Sequence, residues 1–313
     1  MSRFVVVGVA CAALMAVPGA AWAAPLEPYL DRAGEAEFSG QQVVTCETPT
    51  GSRTIAIGLN QIDGTTTARS AADGSTEVQM AGGTFSVVSD DGTVDTSAAV
   101  TEAIPEGLYT VSKVEMVTAL GRPAQRVTIV DGAGLIRATV TFDAETGAML
   151  VSRIRNADGS IYCDSRMVEF SESARQVSSR TEGSSQDNLE SADLPDGLEL
   201  PEQVAGFSRI ETFTWERGGV VAYYSDGLFS FTLLATMRPV VLDSETADAV
   251  TIEGGEYVRW FGAGQSIYVW DTEAGGLAMY GDLPLDLQEA VLAELPDPAR
   301  IGVLARWWRN LFG

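Results

Sequence analysis

The residue types that most often carry out chemistry are either missing from this chain or arranged without a telling spacing. Its 313 residues include no histidine, which rules out Ser-His-Asp and Cys-His nucleophiles, histidine metal sites and the commonest general base. The 43 acidic residues offer many carboxylate pairs, but no spacing separates an acid/base pair from solvated surface. Ser89-Asp90-Asp91-Gly92-Thr93-Val94-Asp95 resembles the start of a calcium loop, lacks the distal Glu, and reads as an acidic turn. Gly132-Ala133-Gly134 has neither the third glycine nor the strand-to-helix setting of a dinucleotide site and reads as a turn as well. No catalytic residue, metal or cofactor is assigned, and the chain is expected not to be an enzyme.

Cysteine is the remaining reactive type, and its meaning depends on compartment. Met1-Ser-Arg, the apolar run Phe4 to Val17 and the small-x-small signal Ala21-Trp22-Ala23 read as a cleaved export signal over 1–23, with an uncleaved anchor as the alternative. Cys11 sits too early in that run for lipidation. Export leaves Cys46 and Cys163, an even number in a compartment where disulfides persist, and they are expected to bond to each other; two separate buried thiols are the plainer alternative. The formal charge of −23 becomes −24 when Arg3 leaves with the signal, which argues against nucleic acid as a partner. Lys113 is the one lysine among 20 basic residues.

The elements that position these residues are mostly strands. From Tyr109 to Phe170 the pattern is an antiparallel meander: Ile136, Ala138, Val140 and Phe142 share one face of a strand, while Arg137, Thr139 and Thr141 share the other, as in a sheet wet on one side. Turns at Ala144–Gly147 and Ala157–Gly159 each supply a glycine able to take positive φ. Upstream, 26–36 reads as a short helix and 39–46, 53–59, 65–70, 76–80 and 84–89 as strands. Ser171 to Asp193 is polar and nearly free of large apolar residues, a linker between a domain over 24–170 and a second over 194–313. In the second, strands are expected at 207–215, 219–224, 228–235, 256–261, 266–271 and 277–281, then a helix from Pro284 to Pro296. A last helix from Pro298 puts Ile301, Leu304, Trp308 and Leu311 on one stripe, suited to docking on the domain or to lying at a membrane surface. The fold class is α+β, mainly β.

GRPAQRV from Gly121, TFDAETGAML from Thr141, NADGSIYCDSRMVEF from Asn156, FSGQQVV from Phe38 and VVAYYSDGLFSF from Val220 occur in an order and spacing that resemble the MucB/RseB family, extracytoplasmic regulators that bind anti-sigma factors. The resemblance covers most of the chain after the signal segment; it is loose before Gly121, and the pair Cys46 and Cys163 is not part of it. It implies a LolA-like curved antiparallel half-barrel followed by a smaller α+β domain, and a periplasmic location. It also implies a membrane anti-sigma factor as partner, bound through its periplasmic segment, and a lipid or acyl ligand. Partner contacts would fall at Tyr224, Asp226, Leu228 and Phe229, whose plainer role is to build a hairpin. Phe85, Val87, Ile136, Val140, Phe142, Leu150 and Ile154 would line the ligand cavity, ordinary core packing being their plainer role. A lipid or lipoprotein carrier with the same curved sheet is the alternative function. Limited proteolysis is expected to cut first within 171–193 and to leave two resistant fragments.

Overall fold

The computed structural model describes residues 27–48, 51–62, 65–70, 77–81, 84–88, 94–99, 108–173, 200–215, 219–237, 247–252, 254–262, 265–281 and 283–299. The expected signal segment, most of the expected linker, residues 89–93 of the acidic turn and residues 300–313 of the expected last helix lie outside these, while Pro298 and Ala299, where that helix is expected to begin, are not helical. Helix α1 (Glu27–Glu35) precedes eleven strands: β1 (Phe38–Thr48), β2 (Gly51–Ile62), β3 (Thr65–Ser70), β4 (Glu77–Ala81), β5 (Thr84–Val88), β6 (Val94–Ala99), β7 (Tyr109–Ala119), β8 (Arg122–Asp131), β9 (Ile136–Asp143), β10 (Met149–Arg155) and β11 (Ile161–Ser171). They form one antiparallel sheet in the order β6-β5-β4-β3-β2-β1-β11-β10-β9-β8-β7, open because its end strands do not pair with each other. Both runs, β1 to β6 and β7 to β11, are meanders of sequence neighbours, and they join where β1 pairs with β11.

That seam carries the disulfide. Cys46 and Cys163 are directly opposed residues of β1 and β11, and they are bonded to each other as expected. The turns also fall where the glycines placed them. Gly147 and Gly159 take φ of 82° and 84°, and a Cβ on Gly147 would collide with Arg32 of α1. Arg32 Nη2 donates to the carbonyls of Ala144 and Glu145 at 2.8 and 2.7 Å, pinning the helix to this turn. The same C-terminal turn of α1 is also held by Gln61 Nε2, which donates to the carbonyls of Ala33 and Gly34 at 2.6 and 2.9 Å, acceptors in the last turn, where the helix supplies no N–H of its own four residues on.

The second sheet contains β12 (Gln203–Val204), β13 (Phe207–Trp215), β14 (Gly219–Ser225), β15 (Ser230–Thr236), β16 (Asp248–Ile252), β17 (Gly255–Gly262), β18 (Gln265–Asp271) and β19 (Gly276–Gly281), in the order β12-β13-β14-β15-β19-β18-β17-β16. Helix α2 (Leu285–Glu294) buries Val291 and Leu292 with Leu233, Leu277 and Met279 in the same apolar cluster. That cluster continues without interruption into the first sheet, where it includes Val44, Ile57, Val127, Val140, Phe142 and Leu150. Strands β6, β12 and β16 were missed by the sequence reading, because none has a run of large apolar residues.

The expectation of a sheet wet on one side is corrected at β9. Arg137 and Thr141 are as buried as Ala138 and Val140, and Arg137 is covered from the smaller sheet by Phe229 and from α2 by Asp286. Unfolding in urea with and without reductant measures the staple's contribution. Closing a loop with a sequence separation of 117 is expected to add about 3–5 kcal/mol, so reduction, or Cys46→Ala with Cys163→Ala, lowers the midpoint accordingly.

Candidate functional site

Ser225-Asp226-Gly227-Leu228-Phe229 joins β14 to β15, and its side chains hydrogen-bond within the turn itself. Asp226 Oδ1 accepts the backbone N–H groups of Leu228 and Phe229 at 2.9 and 2.7 Å, an Asx-type turn. Ser225 Oγ donates to the Phe229 carbonyl at 3.0 Å. The other carboxylate oxygen, Oδ2, leaves the turn and meets the first sheet, where the Tyr109 hydroxyl donates to it at 2.5 Å. Tyr109 opens β7, and its ring meets that of Phe229 edge-on at 6.0 Å.

Around this contact the two sheets interlock through side chains. Arg137 of β9 lies over the Phe229 ring at 5.9 Å and bonds Asp286 in the first turn of α2 at 2.9 Å. Helix α2 begins after Pro284, which supplies no side-chain cap. Asn156 of the β10–β11 turn provides the missing acceptor, taking the Leu285 N–H at 3.0 Å. Gln288, buried on the same helix, donates to the Tyr162 hydroxyl of β11 at 3.1 Å and accepts from Tyr268 of β18 at 2.9 Å.

Tyr224, Asp226, Leu228 and Phe229 therefore lie in and beside one turn and are all buried, and Asp226 and Phe229 sit in the joint between the sheets. Tyr224 points back toward its own sheet, stacking on Phe231 at 4.7 Å and donating to the Pro201 carbonyl at 2.8 Å. Burial pushes its hydroxyl up to about 12. Sequence reasoning missed Tyr109, Arg137, Asn156, Tyr162 and Gln288. Their partners across the joint lie 92 to 149 residues away in the chain, and the one available hint was an arginine at a position that alternates with apolar residues.

Asp226 is 5% exposed, and burial raises its pKa above the ordinary carboxylate range, although the Tyr109 hydroxyl, the two turn N–H groups and Arg137 pull it down. Burial and the neighbouring Asp226 likewise raise Tyr109, so it stays protonated and donates. The carboxylates of the first sheet behave in the opposite way. At Asp143, burial pushes up but is outweighed by hydrogen bonds from Arg122, Thr146 and Glu145; at Asp164, burial is outweighed by Arg166 and Arg153.

Of the residues expected to line a cavity, Val140, Phe142, Leu150 and Ile154 are buried on one face of the sheet, and Tyr29 of α1 stacks on Phe142 at 5.8 Å. Ile136 is corrected: at the start of β9, beside the turn, it is 44% exposed and outside this group. Phe85 and Val87 lie on β5, with side chains outside the described residues. The same face carries Gln42, Ser152 and Ser165, all buried, with side chains that have no hydrogen-bond partner among the described residues. On the opposite face a cleft of about 250 Å3 runs across β7 to β11, lined by Arg126, Thr139, Thr141, Val151, Arg153 and Arg166 among others. Asp164 ties Arg153 and Arg166 together there.

No family model matches the chain, and no curated protein matches it. Among solved structures it is similar to the MucA/MucB complex of Pseudomonas aeruginosa, with a TM-score of 0.48 and 19% identity over 88% of this chain and 99% of that one. It is similar to MucB in a second structure, with a TM-score of 0.45 and 17% identity over 90% of this chain and 100% of that one. A LolA superfamily protein from Nitrosomonas europaea aligns with 49% of this chain and 94% of its own length, at a TM-score of 0.26 and 8% identity. At these values the likenesses assign neither partner nor ligand.

Two substitutions test the joint. Tyr109→Phe removes the donor to a buried carboxylate and is expected to cost about 1.5–3 kcal/mol in urea unfolding. For Asp226 the folded-state pKa lies above the unfolded value, so the folded protein holds this proton more firmly. The cost of the buried charge is full above the folded pKa and falls away as pH drops through it toward the ordinary carboxylate value. The stability of the unsubstituted protein relative to Asp226→Asn should therefore rise on acidification through that window. A fall in that difference would contradict a raised pKa.

Proposed function

We propose that this protein is an extracytoplasmic regulator that binds the outer part of a membrane anti-sigma factor without catalysing a reaction. The reading is supported by the resemblance of its sequence motifs to the MucB/RseB family and by the place one of those motifs occupies. The Tyr-Ser-Asp-Gly-Leu segment is the latch between the sheets, closed on Tyr109 and Arg137. Of these observations, the latch carries the reading. Two bodies set against each other by a small number of directional polar contacts, Tyr109 to Asp226, Arg137 to Asp286, Asn156 to Leu285 and Tyr162 to Gln288, can exchange one arrangement for another, and a partner that prefers one becomes coupled to any ligand that prefers the other.

In this reading Tyr224, Asp226, Leu228 and Phe229 serve partner binding, Asp226 and Phe229 becoming accessible when the joint opens and Tyr224 supporting the turn from its own sheet. A lipid or acyl ligand enters against the apolar face of the larger sheet, beside Val140, Phe142, Leu150 and Ile154, with Phe85 and Val87 further along. Its polar end would satisfy Gln42, Ser152 and Ser165, and each buried CH₂ would contribute about 0.8 kcal/mol. The location is periplasmic, after removal of a signal over 1–23; a disulfide between Cys46 and Cys163 fits an oxidising compartment.

The test is calorimetric titration of the purified protein with the outer segment of a single-span anti-sigma factor from the same organism, repeated with a short-chain phospholipid present. A stoichiometric complex weakened by the lipid is expected, with Tyr109→Phe altering affinity through the latch. Native mass spectrometry showing stoichiometric acyl cargo, with no complex in the titration, would instead identify a lipid carrier and overturn regulation.

A further inference from the structure

Strand β7 is a long edge strand of the larger sheet. The opposite edge, β6, lies against β13 of the smaller sheet, and the outer strands of the smaller sheet are the two-residue β12 and β16, beside α2. By contrast, β7 has 11 residues, and among the described residues no strand pairs with its outer side. Exposed edges are usually blunted by lysine, proline, a bulge or shortness. In β7 these devices occupy the first half: a bulge between Val111 and Lys113, and Lys113 itself. From Val114 to Ala119 the one charge is Glu115, which Lys113 pairs, and among the described residues there is no lysine, proline or bulge; Val114 and Met116 are 46% and 67% exposed.

The two sides of this stretch differ in chemistry. Val114 and Met116 sit opposite Val127 and Gln125, which in turn sit opposite Val140 and Phe142, so they extend the apolar face to the margin of the sheet. Glu115 sits opposite Arg126, which sits opposite Thr141, on the face of the arginine-lined cleft. Glu115 is paired with Lys113 at 2.8 Å, and Asp164 takes up Arg153 and Arg166. Two carboxylates thus face four cations, a local positive excess in a chain whose formal charge is −23.

We propose that β7 accepts an added strand from a partner polypeptide, an extended segment whose side chains alternate apolar and acidic, paired along Val114–Ala119. Backbone N–H and C=O groups supply the attraction common to any strand, and the alternation supplies selectivity. Apolar side chains of the segment lie beside Val114 and Met116, and acidic ones reach over the other face toward Arg126 and the cleft. A second copy of this chain fits less well: another β7 brings a single Glu on that side, already paired with Lys113, and the whole molecule repels its like. This surface is distinct from the joint, and the inference does not depend on the anti-sigma reading.

The experiment uses the purified full chain and labelled eight-residue peptides of alternating Ile and Glu, or of alternating Ile and Lys, followed by fluorescence anisotropy. The Ile/Glu peptide is expected to bind and the Ile/Lys peptide not to. Met116→Glu and Arg126→Glu, both on the surface, should each weaken binding about tenfold while leaving the melting temperature unchanged. Bound peptide should also slow hydrogen exchange at the amides of 114–119, a readout that loose charge attraction would not move. Equal binding of both peptides, no binding by either at millimolar concentration, or unchanged exchange at those amides overturns the proposal. So does self-association of the protein that Met116→Glu abolishes, since it would assign the edge to a second copy.

Discussion

Asp226 has been taken out of water at the place where two sheets meet, and the rest of the interface is arranged around making that tolerable. A buried carboxylate without partners is destabilising by several kcal/mol, so its oxygens must all be engaged. One is satisfied locally by the turn it belongs to, and the other has to be satisfied by the neighbouring body. The requirement makes the joint specific: Tyr109 must open its strand at the right height, and Arg137 must reach across to balance charge and cover Phe229. A purely apolar contact would permit many sliding positions, whereas a buried polar one is satisfied in few.

The same constraint explains why α2 sits where it does. Its first turn lacks a cap of its own, and the acceptor comes from Asn156, in a turn of the other sheet. Gln288 in its middle is held from both bodies at once, by Tyr162 and Tyr268. A continuous apolar cluster lies behind these bonds and provides non-directional stabilisation, while the polar contacts set the relative position of the bodies.

The larger sheet does two jobs on its two faces. One face is apolar, closed by α1, and interrupted by Gln42, Ser152 and Ser165. The other gathers arginines that the sequence scatters over three strands, and Asp164 keeps two of them from repelling each other. In a chain with a formal charge of −23, such a gathering offers negative groups a place to bind.

Much of this was readable from residue order. The alternation through β9 and β10, the glycines at 147 and 159 and the apolar spacing before Pro296 specified strands, turns and a helix, because those patterns depend on neighbours in the chain. The pairing of Cys46 with Cys163 followed from their number once export was inferred. What the order of residues left open was which polar groups would lose water. Arg137 has the same alternation as a solvent-facing residue, Ile136 looks like core and is exposed, and the Ser-Asp-Gly-Leu turn has the form of any hairpin tip. Only tertiary structure decided these, because burial of one side chain depends on a surface contributed by residues more than a hundred positions away, and no local pattern encodes that approach.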